Sequence, residues 1–166
     1  MRGPHGEDLP GAILFACTMN AVRSPMAAAI MQHLFGKFVY VDSAGVRAGS
    51  LDPMAVEVME EIGIEIAKYH PKRFEDLLDS SFDVCITLSP EAQHRAVDLA
   101  HTSAIEIEYW PTMDPTIVEG SRDQRLDAYR AVRDSLLRRI RDRFEEKRAS
   151  DTSPKPRGLS TSRTGE

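Results

Sequence analysis

The 166-residue chain has little cysteine: two residues, Cys17 and Cys85, which can form one bridge at most. A disulfide-built fold is excluded, and free thiols in a reducing cytoplasm are the expectation. No apolar run approaches the length of a membrane span. The opening MRGPHGEDLPG has one arginine and no apolar core, so no secretory signal is expected there. Positive charge is not in excess: the formal net charge is −5. That argues against a nucleic-acid or anionic-membrane partner, while leaving room for a local basic pocket. There is no internal repeat. His70, His94 and His101 are scattered without metal-ligand spacing, so no metal or other cofactor is expected.

What is present is ordinary for one globular domain: 42% apolar and 28% charged residues. Residues 1–10 are rich in glycine, proline and charge and read as a flexible tail. Residues 149–166, ASDTSPKPRGLSTSRTGE, contain almost nothing to bury and read as a disordered tail. The domain is therefore expected over 11–148. Four segments have the apolar density of short buried strands: 12–16 (AILFA), 38–43 (FVYVDS), 82–88 (FDVCITL) and 104–110 (AIEIEYW). The fourth alternates, with Ile105 and Ile107 on one face and Glu106 and Glu108 on the other, as an edge strand does.

Helical patterns separate the strands. One runs from Arg23 to Phe35, with Pro25 in its first turn and Gly36 as its stop. Asp52-Pro53 reads as an N-cap and first helical position of a second helix that ends before Gly63. A third opens at Pro90 and runs to Ala100. The fourth begins at a capping box of Ser121 and Gln124, and Leu126, Tyr129, Val132, Leu136, Ile140 and Phe144 form its apolar stripe. Strands alternating with helices predict an α/β three-layer sandwich, a four-stranded parallel sheet of flavodoxin-like or Rossmann-like topology. Ligands of such sheets bind beyond the carboxyl ends of the strands, and Cys17 lies at one.

The stretch Cys17-Thr18-Met19-Asn20-Ala21-Val22-Arg23-Ser24-Pro25 joins the first strand to the first helix. Backbone N–H groups of such a loop, with those of the helix's first turn, can converge on one anion, and the helix dipole reinforces them. The same field favours a thiolate. The Arg23 guanidinium adds a planar fork for two oxygens of a tetrahedral oxyanion. A nucleophilic sulfur beneath a bound phosphate is a phosphoryl-transfer site that needs no metal. C-x5-R also arises by chance, and a cysteine at a strand end also serves as a small buried hydrophobe. Such a nucleophile needs an acid for the leaving oxygen, and the candidate is Asp114, in YWPTMDPTIVEG after the fourth strand. Asp-Pro also opens turns, but this loop has no evident helix for Asp114 to cap.

Together these elements resemble the low-molecular-weight protein tyrosine phosphatases and their relatives, the arsenate reductases of the same fold. The family's C-x-G-N-x-C-R-S-P is matched by Cys17 to Pro25, its S-A-G by Ser43-Ala44-Gly45, and its G-I with a following histidine by Gly63-Ile64 and His70. Its F-D is matched by Phe82-Asp83 and its closing D-P by Asp114-Pro115. The resemblance implies that Cys17 is the nucleophile and Arg23 the phosphate clamp. Asp114 is then acid and later base, and Ser24 is a hydrogen-bond donor to the thiolate. Asn20 holds an unusual backbone conformation, braced by Ser43. The phosphate loop is residues 18 to 24: Thr18, Met19, Asn20, Ala21, Val22, Arg23 and Ser24. The implied partner is a phosphorylated substrate, a phosphotyrosine protein or small aryl phosphate, and the implied state a monomer or weak dimer.

Three departures matter. Met19 replaces the loop glycine, which is costly if that position needs positive φ and harmless if the side chain sits at the pocket rim. Val22 replaces a second loop cysteine, so an oxidised Cys17 has no adjacent thiol to pair with. Thr116-Ile117 stand where the phosphatases carry tyrosines at the mouth of the pocket. With no cysteine after Cys85, an internal disulfide relay is not expected. Phosphate-monoester hydrolysis through phosphocysteine is the leading reading. Arsenate reduction with an external thiol is the alternative, and a phosphate- or phosphoprotein-binding module stalled by Met19 is a third.

Overall fold

The computed structural model describes residues 9–77, 81–101 and 103–152. Four strands, β1 (Ala12–Cys17), β2 (Tyr40–Gly45), β3 (Val84–Thr87) and β4 (Glu106–Tyr109), form one parallel sheet in the order β2-β1-β3-β4. The four helices are α1 (Arg23–Phe35), α2 (Pro53–Glu60), α3 (Pro90–Ala100) and α4 (Arg122–Thr152). Two 3-10 turns, Phe74–Leu77 and Pro115–Ile117, were not foreseen from the sequence. From β1 the connections lead first to β2 on one side and then across to β3 on the other, so the order of the strands reverses between β1 and β3, the place where open α/β sheets bind ligands.

Helices α1, α2 and α4 cover one face, and α3 with the turn at Phe74–Leu77 covers the other. Each face has its own core. Ile13, Phe15 and Cys17 of β1 point into the larger one, with Met26, Ile30 and Met31 of α1 and Leu136, Ile140 and Phe144 of α4. Leu14 and Ala16 point into the smaller one, with Phe74, Cys85, Ala92 and Ala96. This is the period-two alternation of a strand covered on both faces. Helix α1 is wedged between sheet and α4, so it is apolar nearly all round rather than striped.

The cap anticipated at Asp52 is made, its side chain accepting from the Met54 amide at 2.8 Å; Ser89, not read as a cap from the sequence, accepts from the Ala92 amide at 3.2 Å and starts α3. Ser121 and Gln124 close a reciprocal capping box, with bonds of 2.8 and 3.1 Å. The domain's ends differ from the sequence reading. Leu9, given to the N-terminal tail, is 2% exposed and belongs to the core. Helix α4 continues to Thr152 rather than stopping by residue 148. The remainder of both expected tails, 1–8 and 153–166, lies outside the described residues. No helix among the described residues is long and apolar enough to cross a membrane.

Candidate active site

Residues 18–22 leave β1 and turn into α1, and the turn is held from outside by the segment that follows β2. The carbonyls of Cys17, Thr18, Met19 and Ala21 accept from the amides of Val46, Arg47, Gly49 and Asp52 at 2.9–3.2 Å. In a planar trans peptide C=O and N–H point in opposite directions. The amides that follow those carbonyls are therefore turned away from the clamping segment. The close approach explains Gly45: a Cβ there would stand 2.8 Å from the Asn20 nitrogen and 2.5 Å from the Arg47 carbonyl.

Asn20 is, among the described residues, the one non-glycine with positive φ, at 54°. Asparagine tolerates that region better than most side chains. Its carboxamide is fully buried and fully used. It donates to Ser24 Oγ at 2.7 Å and to Ser43 Oγ at 3.0 Å, the brace anticipated from the sequence. It accepts from the Tyr69 hydroxyl at 2.6 Å and the Lys72 amide at 2.8 Å. Met19 is not in the left-handed region, so the strain feared for it does not arise. Its side chain, 40% exposed, lines the mouth and packs on Gly49.

Cys17 Sγ lies 3.0 Å from Ser24 Oγ and accepts from the Ser24 amide at 3.4 Å. Ser24 Oγ already receives a proton from Asn20, so its own is free to point at the sulfur; the other acceptor within reach, the Ala44 carbonyl, is at 3.4 Å. Arg23, 11% exposed, donates to the Thr112 carbonyl at 3.1 Å and faces Asp114 Oδ2 at 3.9 Å. The structure thus brings Cys17, Arg23 and Asp114 to one cavity of about 370 Å³, whose other walls include Val22, Leu51 and Asp52. Among the described residues no aromatic ring lines it; Met19 and Thr116 are part of its wall.

One expectation is corrected. Asp114 does have something to cap: its Oδ1 accepts from the amide and hydroxyl of Thr116, at 3.0 and 2.7 Å, and starts the 3-10 turn Pro115–Ile117. Oδ2 stays on the cavity side, facing Arg23. The loop that presents it is tied to the sheet. The Trp110 and Thr112 amides donate to the Thr87 and Leu88 carbonyls, and the Trp110 ring packs edge-on against Phe15 at 6.2 Å.

Sequence reasoning missed Tyr69 and Lys72. It pointed to His70, whereas the neighbouring Tyr69 reaches the phosphate loop. The signal was there as a tyrosine and a lysine three apart, but only the fold shows that this stretch passes beneath Asn20. Thr18, bonded to the α3 cap Ser89 at 2.9 Å, was likewise unforeseen in that contact. Cys85 takes no part: burial pushes its thiol up to about 12, and it faces the opposite core from Cys17.

A tetrahedral anion above Cys17 would meet the Arg23 guanidinium, the N-terminus of α1 and the Asp114 carboxyl group. Comparison with known proteins agrees with that chemistry. Residues 12–150 match the family model described as low molecular weight phosphotyrosine protein phosphatase. An arsenate reductase of Shouchella clausii is 34% identical over 131 residues, 78% of this chain and 91% of that protein. The structure of a YwlE mutant from Bacillus subtilis superposes with a TM-score of 0.67 at 26% identity, covering 81% of this chain and 97% of that one. An arsenate reductase in the phosphate binding state gives 0.62 at 26%, covering 84% and 97%. With a match that runs from the first residue of β1 nearly to the end of α4, the chain belongs to the low molecular weight phosphotyrosine protein phosphatase family.

Proposed function

We propose that the protein hydrolyses a phosphate monoester through a phosphocysteine at Cys17. The carrying observation is the sulfur itself: two Ser24 donors reach it at the floor of a cavity whose walls hold Arg23 and Asp114. The thiolate attacks phosphorus in line with the ester oxygen, forming S–P as P–O breaks. The departing oxygen takes the proton of Asp114, and Arg23 with the loop amides holds the equatorial oxygens. The resulting Asp114 carboxylate then accepts a proton from water as that water attacks phosphorus. Inorganic phosphate leaves, and the Ser24 hydroxyl receives the restored thiolate. The test is 4-nitrophenyl phosphate hydrolysis by the parent and Cys17→Ser; equal rates would end this reading.

A second reading is arsenate reduction with an external thiol. The lack of an aromatic ring among the described lining residues favours it, since a bare oxyanion needs no aromatic clamp, and so do the relatives named arsenate reductase. Cys85 cannot close a disulfide on Cys17 from the other face of the sheet. Thiol-dependent release of arsenite, lost in Cys17→Ser and retained in Asp114→Asn, would favour this reading over the first.

A further inference from the structure

One path of hydrogen bonds behind the phosphate loop leads from Lys72 through Tyr69, Asn20 and Ser24 to Cys17, beside a side branch in which Asn20 also donates to Ser43 Oγ at 3.0 Å and the Tyr69 hydroxyl lies 3.1 Å from the Ser43 carbonyl. The Asn20 carbonyl oxygen can only accept, and it takes the Tyr69 proton at 2.6 Å. The Tyr69 oxygen is then left to accept, from Lys72 Nζ at 3.1 Å and from Ser43 Oγ at 2.5 Å. The Asn20 amide nitrogen can only donate, and it supplies Ser24 at 2.7 Å. Ser24 in turn has one proton, for which Cys17 Sγ at 3.0 Å is the nearer acceptor and the Ala44 carbonyl at 3.4 Å the farther; with the sulfur as thiolate that proton belongs to the Cys17 contact. Asn20, Ser24 and Ser43 are fully buried, so solvent does not compete with this ordering.

The outer end is a charge. Burial draws the Lys72 ammonium down, but hydrogen bonds to Asp42 and Tyr69 outweigh it and hold the group above its ordinary value. Lys72 Nζ sits 2.9 Å from Asp42 Oδ1 and 4.4 Å from the centre of the Tyr69 ring. Among the described residues the charged or titratable groups that act on it are Asp42, Tyr69 and Asp76; those lining the Cys17 cavity are Arg23, Asp52 and Asp114.

We propose that Lys72 and Tyr69 are positioning residues, the charged outer end of a one-way donor chain through Asn20 and Ser24 that holds the Cys17 sulfur as the thiolate. The inference rests on the reading of Cys17 as the nucleophile. Each donor in the chain is polarised by the one behind it, so an ammonium at the far end strengthens the Ser24 proton against an anion at the near end. Removing the charge weakens that proton without touching substrate.

The test needs no turnover, so it stands apart from the phosphatase assay. Alkylation of Cys17 by iodoacetamide is followed by mass spectrometry on the full chain, in parent, Lys72→Met, Lys72→Arg, Tyr69→Phe and His70→Ala. At about pH 6, Lys72→Met and Tyr69→Phe are expected to slow alkylation about three- to tenfold. The gap should close at about pH 10, where a thiol of ordinary value is ionised without help from Ser24. Lys72→Arg should regain most of the rate, and His70→Ala should match the parent. Parent-like alkylation in Lys72→Met would overturn the proposal. So would a gap that persists undiminished at high pH, or equal slowing in His70→Ala, since each marks loop damage rather than lost charge.

Discussion

Asp114 carries two roles that one substitution pair can separate. Its Oδ1 holds the turn at Pro115–Ile117 through Thr116, and its Oδ2 faces Arg23 across the cavity. Asp114→Asn keeps an oxygen for the Thr116 donors but has no proton to give. Asp114→Ala loses both. The capping bonds are at a side chain 37% exposed, where water replaces them in part. Their loss costs about 1 kcal/mol, a fall in Tm of about 2–4 °C for a domain of this size. Asp114→Asn should stay within about 0.5 kcal/mol of the parent, because the 3.9 Å approach to Arg23 is long and partly exposed. General-acid catalysis contributes roughly 10²–10⁴-fold. Both variants should therefore lose about that factor on a phosphotyrosine peptide, whose phenolate is a strong base. They should lose less on 4-nitrophenyl phosphate, whose leaving group is a far weaker base. Thermal unfolding and steady-state kinetics on the two substrates decide it. If Asp114→Asn turned over the peptide within threefold of the parent, or lost the same factor on both substrates, the assignment of Asp114 as the acid would be wrong.

Met19→Gly should leave the loop intact, since φ at Met19 is not positive, and change turnover on aryl phosphate by only a few-fold. A tenfold gain would show that the methionine obstructs the mouth. The two thiols are equally buried, at 2% exposed, but should differ sharply: at about pH 8 iodoacetamide should modify Cys17, whose sulfur meets the Ser24 amide and hydroxyl, and spare Cys85, whose thiol is raised to about 12, until the protein is unfolded. Comparable labelling of both in the native protein would refute the contrast between a sulfur met by donors and one surrounded by apolar core. Glu61, hydrogen-bonded to Arg130 and Arg133, is drawn from 4.5 to about 2. Its folded form binds a proton less readily than its unfolded form. The stabilisation is therefore complete above the ordinary value and is lost as pH falls toward 2. Glu61→Gln should narrow the Tm difference between about pH 6 and about pH 2.5; an unchanged difference would count against the pairing.

The elements were legible because each announces itself locally. Arg23–Phe35 and Pro90–Ala100 are bounded by caps, prolines and a glycine that act within a turn, and both helices begin and end where the sequence places them. The strands shifted by up to two residues at their ends, as at β2, where Ala44 and Gly45 continue the ladder beside Ala16 and Cys17. Nothing local marks that boundary, because pairing with β1 sets it. The Asp114 turn was missed for a similar reason. A three-residue 3-10 turn has no periodicity to read, and its cap is visible only once the Thr116 donors are seen to fold back.

The same contrast explains how Met19 can stand where the family has glycine. If the loop's shape were stored in its own residues, a glycine position would be irreplaceable. Here the shape is imposed from outside: the carbonyls of Cys17, Thr18, Met19 and Ala21 are pinned by amides of Val46, Arg47, Gly49 and Asp52, and the loop's left-handed residue, Asn20, is held by partners at 24, 43, 69 and 72. Positive φ is needed at Asn20 and not at Met19, so the motif tolerates the change at the second position and should not tolerate it at the first. Asn20→Ala would put a Cβ residue without compensating bonds into the left-handed region, at roughly 1–2 kcal/mol, and leave buried donors unpaired, at roughly 1–3 kcal/mol each. Asn20→Gly would remove the first cost and keep the second. A stability ladder of parent, then Asn20→Gly, then Asn20→Ala in chemical denaturation is the expected order. The reverse order for the two variants would mean that the loop keeps its shape by some means other than this backbone conformation.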